Sequence, residues 1–227
     1  MVQISSPSRP SDPGSRGYDK VLEKKREILL AASRVFRERG LHATGMRDIA
    51  AELKMAVGNL YYYFKDKETL LAFIQESTLS DLLDMAARVR ELDLRPDQKI
   101  KLLLEEHVVR LNDPEEGTPG SLAHLEIEAL SGALRTAVMG QRDEYELTLR
   151  RLIEEGMDRQ VFRQVDAKVA ALALLGAVNW TVKWFRPEGG KSAREIGREA
   201  AETLVGGLLV SPASPASPTS PNTEEKT

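Results

Sequence analysis

The chain has 227 residues and a formal net charge of −3, and its 41% hydrophobic and 30% charged residues are typical of a helical globular protein. It contains no cysteine, which excludes disulfides and thiolate metal sites. Aromatic residues are only 5% and no run of about 18 apolar residues occurs, so we expect no sheet and no membrane span, and a cytoplasmic protein.

The ends of the chain differ from the rest in composition. Residues 1–18 are rich in Ser, Pro and Gly, and residues 211–227 repeat Ser and Pro. Neither segment can bury apolar surface, so both are predicted to be disordered. Between them we predict two parts, a head (residues 19–65) and a body (residues 66–210).

Apolar residues recur at helical spacing through both parts, which predicts an all-α fold. Gly40, Asp66, Pro96, Asp166 and Ser192 supply the expected start or stop signals. The predicted helices are Lys20–Arg39, one from Thr44 to Leu53, Val57–Phe64, Lys67–Leu92, Pro96–Leu111, Ser121–Val138, Asp143–Met157, Asp166–Arg186 and Ser192–Leu209.

The stretch from Thr44 to Thr69 predicts a DNA-binding motif. Thr44 is positioned to cap a short helix, and a second short helix follows a break near residues 54–56. Helices this short do not persist alone, so they require a scaffold, and their layout is that of a helix-turn-helix. The stretch resembles the amino-terminal domain of TetR-family transcriptional repressors in Gly40-Leu41, Thr44, Arg47, Ile49-Ala50, Gly58, Leu60-Tyr61, Phe64, Lys67-Glu68 and Leu70.

Two residues depart from the family pattern. Lys54 stands where the family usually has a turn glycine, and Ala56 stands where it usually has a capping serine. A left-handed non-glycine residue and a missing cap each cost on the order of 1 kcal/mol. We therefore expect the motif to form with a less firmly fixed turn.

The resemblance implies a set of DNA-contacting residues. Thr44, Tyr62 and Lys67 match positions that touch phosphates, and Arg47 and Asn59 match positions that touch bases or phosphates. The remaining predicted contacts are Gly58, which permits close backbone approach, and Lys65. Tyr61 is predicted to lie in the core instead. From Lys20 to Lys67 there are 11 Lys and Arg against 6 Asp and Glu, a local charge of +5, which leaves −8 elsewhere. A basic head on an acidic body is expected when only the head contacts DNA.

The helix predicted from Asp166 to Arg186 is apolar on nearly every face. Such a helix must be buried on every face, so one side is predicted to face the core and the other a second subunit. The interface residues predicted on this helix and on the last helix are Leu175, Trp180, Trp184 and Val205. Two-fold symmetry would place two heads on successive turns of a palindromic operator.

The body resembles, in fewer residues, TetR-family members that respond to acyl-CoA thioesters. The resemblance covers Arg142, Tyr145, the Glu154-Glu155-Gly156 segment, the Asn179–Pro187 stretch and Gly206-Gly207-Leu208. The predicted ligand-lining residues are Arg142, Tyr145, Asn179, His107 and His124. His42, His107 and His124 lack metal-ligand spacing, so no metal site is predicted.

These observations predict a homodimeric repressor that binds double-stranded operator DNA and is released by a small apolar effector. An acyl-CoA is the hypothesis for that effector, and no cofactor is predicted. No catalytic fingerprint occurs, so an enzyme is not expected. The alternative is a non-sensing DNA-binding protein whose body only dimerises. An apolar cavity of several hundred Å³ would favour the sensor.

Overall fold

The computed structural model describes residues 15–113 and 126–210, and within these ranges the fold is all-α, as predicted. The elements are α1 Ser15–Arg39, α2 Met46–Glu52, α3 Val57–Tyr63, α4 Lys67–Arg90, α5 Pro96–Asn112, a 3₁₀ turn at Ile127–Ala129, α6 Gly132–Asp158, α7 Ala167–Asn179, α8 Thr181–Trp184 and α9 Ala193–Gly206. Among them, an isolated antiparallel bridge joins Phe162 to Leu209. No helix in these ranges has the length and hydropathy needed to cross a membrane.

The predicted start and stop signals are confirmed. Gly40 ends α1 with φ +82°, Pro96 occupies the first turn of α5, and the side chains of Asp66, Asp166 and Ser192 cap α4, α7 and α9. Local capping chemistry therefore sets the starts of α4, α5, α7 and α9.

The head packs α1, α2 and α3 against the first turns of α4. Its core includes Phe36, Ile49, Leu60, Phe64 and Leu70. Two residues at the start of α6 and just before it belong to the same cluster: Leu130 and Val138. The amino-terminal end of α6 is therefore part of the head's core, although most of α6 lies in the body.

The turn of the helix-turn-helix is closed without the usual glycine. Lys54 adopts φ +51°, its N–H donates to Ala51 O, and the N–H of Met55 donates to Ala50 O. This pair of bonds is the Schellman arrangement, which ordinarily places glycine at the left-handed position. Ala56 begins α3 with no side-chain cap. Both local deficits expected from the sequence are present.

The body is built around α5, which packs against α4, α6, α7 and α9. Its core includes Leu82, Leu103, Leu149 and Leu174. Helices α5 and α9 approach each other closely at Gly197. A Cβ atom on this residue would lie only 2.8 Å from Glu105 O. The glycine is thus required by packing.

Several helix boundaries differ from the predictions. Helix α1 begins at Ser15, inside the segment predicted to be disordered, because adding a turn to an existing helix costs little; residues 1–14 lie outside the described ranges. Helix α6 runs through Gly140, so this glycine does not separate two helices; its cost of about 1 kcal/mol is offset by packing. Of the helix predicted at residues 121–138, residues 127–131 form a 3₁₀ turn and a loop, and residues 121–125 are not described.

The helix predicted from Asp166 to Arg186 is interrupted at Trp180. Thr181 is buried, its hydroxyl donates to Val178 O, and it accepts a hydrogen bond from the Asn112 amide. This buried network draws the chain out of the α7 axis and starts the short helix α8. The last helix ends at Gly206 rather than at Leu209. Leu209 instead forms the isolated bridge with Phe162.

Candidate DNA-binding and ligand-binding sites

The outer face of the helix-turn-helix presents polar and aromatic groups to solvent. Arg47, Gly58, Asn59 and Lys65 are exposed, and Tyr62 is 79% exposed. On the opposite side of α3, Leu60 is fully buried in the head. The five exposed residues predicted from the resemblance are therefore accessible to a partner, and their chemistry suits phosphates and base edges.

Tyr61 was assigned to the core, and the structure corrects this assignment. Its side chain is 49% exposed. Leu60 and Phe64, four residues apart, already fill the inner side of α3, and a residue directly after Leu60 is rotated away from it. Tyr61 thus lies beside Tyr62 on the accessible side.

Thr44 and Lys67 hold the loop before α2 and have few groups left for another partner. Gly45, not Thr44, is the N-cap of α2. The Thr44 hydroxyl is buried and donates to Gly40 O at 2.8 Å. The Lys67 ammonium donates to Leu41 O at 2.7 Å and to Thr44 O at 2.9 Å. The Thr44 hydroxyl proton and two of the three Lys67 ammonium hydrogens are therefore used within the protein.

The body contains a cavity of about 730 Å³. Its walls come from α5, α6 and α7, with one residue of α4, and they include the apolar side chains of Leu79, Met139, Leu147, Leu172 and Leu175. Four of the five predicted ligand-lining residues line it: Arg142, Tyr145, Asn179 and His107. The fifth, His124, lies outside the described ranges.

Three of these residues form a hydrogen-bonded group, here called the polar triad: His107, Tyr145 and Asn179. The Tyr145 hydroxyl lies 3.2 Å from His107 Nδ1, and Asn179 Oδ1 lies 2.9 Å from His107 Nε2. Burial lowers the pKa of His107 to about 4, despite the bond to Asn179, and burial raises the pKa of Tyr145. At neutral pH the triad is therefore uncharged.

Charged residues line other parts of the same cavity. Arg150 binds the Glu146 carboxylate with both ends of its guanidinium, the shortest contact being 2.7 Å. Arg142 is partly buried, and burial lowers its pKa. Lys168 is exposed at the start of α7. The cavity thus combines apolar walls, a neutral polar group and cationic residues.

The predicted interface residues divide into two groups. Trp180 and Trp184 are 60% and 50% exposed, and Leu175 is partly buried and lines the cavity. Val205 is instead fully buried within the protomer, so its side chain does not reach a partner. The exposed face of α7 forms an apolar stripe that continues to the tryptophans: Val169, Leu172, Ala173, Ala177 and Trp180.

A contact between α4 and α6 was not foreseen. Glu68, in the first turn of α4, accepts hydrogen bonds from Ser131 N at 2.7 Å and from Ser131 Oγ at 2.8 Å. Ser131 is the N-cap of α6 but makes no cap bond to its own helix. A serine before a helix signals a cap, yet nothing local signals a partner 63 residues away.

The remaining histidine, His42, lies at the surface with its side chain 86% exposed and 3.9 Å from Glu126. Across residues 15–113 and 126–210, no group of three metal-ligating side chains is placed to hold an ion.

The chain matches two family descriptions. Residues 28–74 match bacterial regulatory proteins, tetR family, and residues 93–208 match the tetracyclin repressor-like C-terminal domain. The two matches cover the head with the start of α4, and nearly all of the body beyond α4.

Individual relatives agree with these matches. The HTH-type transcriptional repressor KstR2 of Mycolicibacterium smegmatis is 24% identical over 91% of this chain and 97% of its own. The TetR-family regulator PfmR of Thermus thermophilus is 31% identical, with a TM-score of 0.70 over 81% of this chain and 99% of its own. AibR, solved with isovaleryl coenzyme A and operator DNA, is 27% identical, with a TM-score of 0.67 over 82% of this chain and 98% of its own.

Proposed function

This chain belongs to the TetR family of DNA-binding transcriptional repressors, and we propose that it holds palindromic operator DNA as a homodimer until a small apolar effector enters the body. The cavity of about 730 Å³ carries this proposal. Its size lies in the range of sites for small organic molecules, and apolar side chains share its walls with neutral polar and charged ones. A body that served only for dimerisation would have no need of such a space.

The exposed face of α3 supports the DNA-binding role of the head. Asn59 is exposed and can pair with a base edge, while Tyr62 and Lys65 can donate to phosphates. Gly58 is exposed and has no heavy atom within 4 Å of the position a Cβ would occupy. No described residue requires glycine there, whereas close approach to a duplex would.

The apolar stripe supports a homodimer. Leu172 is 52% exposed, and its small neighbours Ala173 and Ala177 would let a second helix approach closely. A single seven-residue recognition helix contacts too few base pairs for tight binding. A two-fold symmetric dimer supplies a second recognition helix. The proposed interface is therefore α7 with Trp180 and Trp184, and it excludes Val205.

The effector signal is proposed to travel through α6 and α4 together. Helix α6 lines the cavity with seven residues from Met139 to Arg150, and its N-cap residue, Ser131, bonds to Glu68 in α4. The neighbour of Glu68 is Lys67, which binds two carbonyls of the loop that precedes α2. A shift of α6 that accommodates an effector would thereby reposition the helix-turn-helix.

An acyl-CoA thioester is the proposed effector. AibR, which shares this fold at 27% identity, was solved with isovaleryl coenzyme A and operator DNA. In this chain the apolar walls suit an acyl chain, and the cavity's cationic residues suit the phosphates of the coenzyme. An effector can shift the heads only if it binds the DNA-free arrangement more tightly, by about 5- to 150-fold for typical couplings.

The test is a titration of acyl-CoAs of several chain lengths into the purified protein bound to fluorescent DNA from upstream of its own coding region. Release should be followed by anisotropy, with free coenzyme A as the control. Release by one chain length and not by coenzyme A supports the effector class. If no acyl-CoA releases DNA but another lipophilic compound does, the sensor function stands and the thioester assignment falls. If nothing binds in the cavity, the non-sensing alternative replaces it.

A further inference from the structure

The polar triad fixes the direction of its own hydrogen bonds. With Oδ1 of Asn179 facing His107, the Nε2–H of the neutral imidazole donates to it. Nδ1 of His107 is then the acceptor, and the Tyr145 hydroxyl donates to it. A neutral imidazole has one donor and one acceptor, so in this arrangement both ring nitrogens of His107 are engaged within the triad.

This order leaves the Asn179 NH₂ group outside the triad. Asn179 lines the cavity, and no hydrogen bond among the described residues uses its Nδ2. The carboxamide oxygen is held by His107, so the group cannot rotate without breaking that bond. Asn179 therefore presents two donor hydrogens from an uncharged group in a fixed orientation.

Such a donor selects for an uncharged acceptor. A carbonyl oxygen accepts from an amide N–H without bringing charge into the cavity, whereas an alkyl chain covers the Asn179 N–H groups without pairing them, which is unfavourable. Lys168 lies at the opposite end of α7, about 16 Å away along the helix axis. That separation is on the order of the pantetheine arm between the thioester and the phosphates of an acyl-CoA.

We propose that Asn179, oriented by His107 and Tyr145, is the specificity-determining residue that donates a hydrogen bond to the thioester carbonyl oxygen of the effector. Lys168 contributes only charge, toward the phosphates. Tyr145 is a positioning residue, since it acts on the effector through His107. This assignment rests on the proposed function, because it takes the cavity as the effector site.

The test compares an acyl-CoA with the alkyl-CoA thioether of equal chain length, which differs only in lacking the carbonyl oxygen. Calorimetric titration of the full chain should give a thioester affinity about 3- to 10-fold above that of the thioether, as one neutral hydrogen bond supplies. In Asn179→Leu this ratio should fall to about one. In Lys168→Ala both affinities should fall together while the ratio is retained.

Tyr145→Phe separates positioning from folding. It removes one oxygen and leaves every group that faces the carbonyl, so the thioether affinity should change little. Tm should fall by a few degrees, because the buried His107 loses its hydrogen bond from Tyr145. Because the His107 tautomer is no longer fixed, Asn179 can turn its oxygen inward and the thioester preference should decrease. A variant that lost both affinities equally would instead indicate a structural role for Tyr145 and would overturn the orienting part of the proposal.

The outcomes distinguish this assignment from the function on which it rests. Equal binding of thioester and thioether to the wild-type protein overturns the role of Asn179 and leaves the effector cavity standing. Failure of both CoA compounds, and of a long-chain methyl ketone as a second carbonyl probe, overturns the carbonyl assignment together with the proposed effector class. A thioester preference that persists in Asn179→Leu transfers the recognition to another residue and also refutes it.

Discussion

Replacement of Glu68 by alanine tests whether the contact between α4 and α6 carries the effector signal. The variant loses the two hydrogen bonds from Ser131 and a negative charge at the amino terminus of α6. A lost cap typically costs about 1 kcal/mol and a lost terminal charge about 0.3–1 kcal/mol. Since Glu68 is partly exposed, we expect a total loss near 1–2 kcal/mol, which lowers Tm by about 2–8 °C.

The chain supplies a matched control at the start of α9. Glu195 accepts hydrogen bonds from Ser192 N and Ser192 Oγ, both at 2.8 Å, the same pattern as Glu68 with Ser131. That pair caps a helix of the body and makes no link to the head. Glu195→Ala should therefore lower Tm in the same direction and leave the communication between head and cavity intact.

Amide hydrogen exchange can measure the coupling between the head and the cavity without a known effector. Operator DNA should change the exchange of the α6 amides in the wild-type protein, because coupling between two sites is reciprocal. Glu68→Ala should bind operator and yet lose much of that response, and the effector should then release DNA less efficiently. The reasoning is refuted if Glu68→Ala keeps the wild-type response, or if Glu195→Ala reduces it equally.

Four further outcomes follow from the structure. Gly58→Ala should raise Tm slightly, by helix propensity up to about 1 kcal/mol, but weaken operator binding measured by anisotropy; unchanged binding would remove close approach at this position. Lys54→Gly should relieve the left-handed backbone and Ala56→Ser should supply a cap, each stabilising the head by up to about 1 kcal/mol in chemical unfolding; a loss of stability would contradict the turn geometry. Leu172→Glu, at a half-exposed site, should leave the protomer folded but dissociate the dimer in sedimentation; an intact dimer would place the interface elsewhere. Because the pKa of His107 is lowered to about 4, the contribution of His107 to stability is full above about pH 6.5 and declines toward pH 4. The decline amounts to about 2 kcal/mol between pH 7 and pH 5. His107→Gln should reduce this pH dependence of the unfolding free energy, and an unreduced slope would argue against the neutral buried imidazole.

Much of the head could be predicted because its signals are local. A residue that caps a helix bonds to an N–H within three positions, and an apolar face repeats every three or four residues. Asp66 and Ser192 were identified in this way, and so was the strained turn at Lys54. Thr44 was misread because its local context fits a cap equally well, whereas its hydroxyl bonds back to Gly40 O.

The cavity residues illustrate an intermediate case. Tyr145 and Asn179 were predicted from resemblance as ligand-lining, but no pattern in the sequence indicated that both bond to His107. The interface prediction shows the same division. The apolar residues on all sides of α7 predicted two buried faces. The sequence did not show that Val205 of α9 packs into the core of its own protomer.

The sequence by itself determined the all-α class, the helix-turn-helix and most helix starts, since each depends on interactions within about one helical turn. The tertiary structure alone decided which helix faces meet. The polar triad joins residues 38 and 72 positions apart, and Glu68 meets Ser131 across 63 positions. Such pairs form because the whole chain buries its apolar surface in one arrangement, and that free energy is shared by all the helices at once. The spacing of residues within a single helix therefore does not predict these long-range contacts.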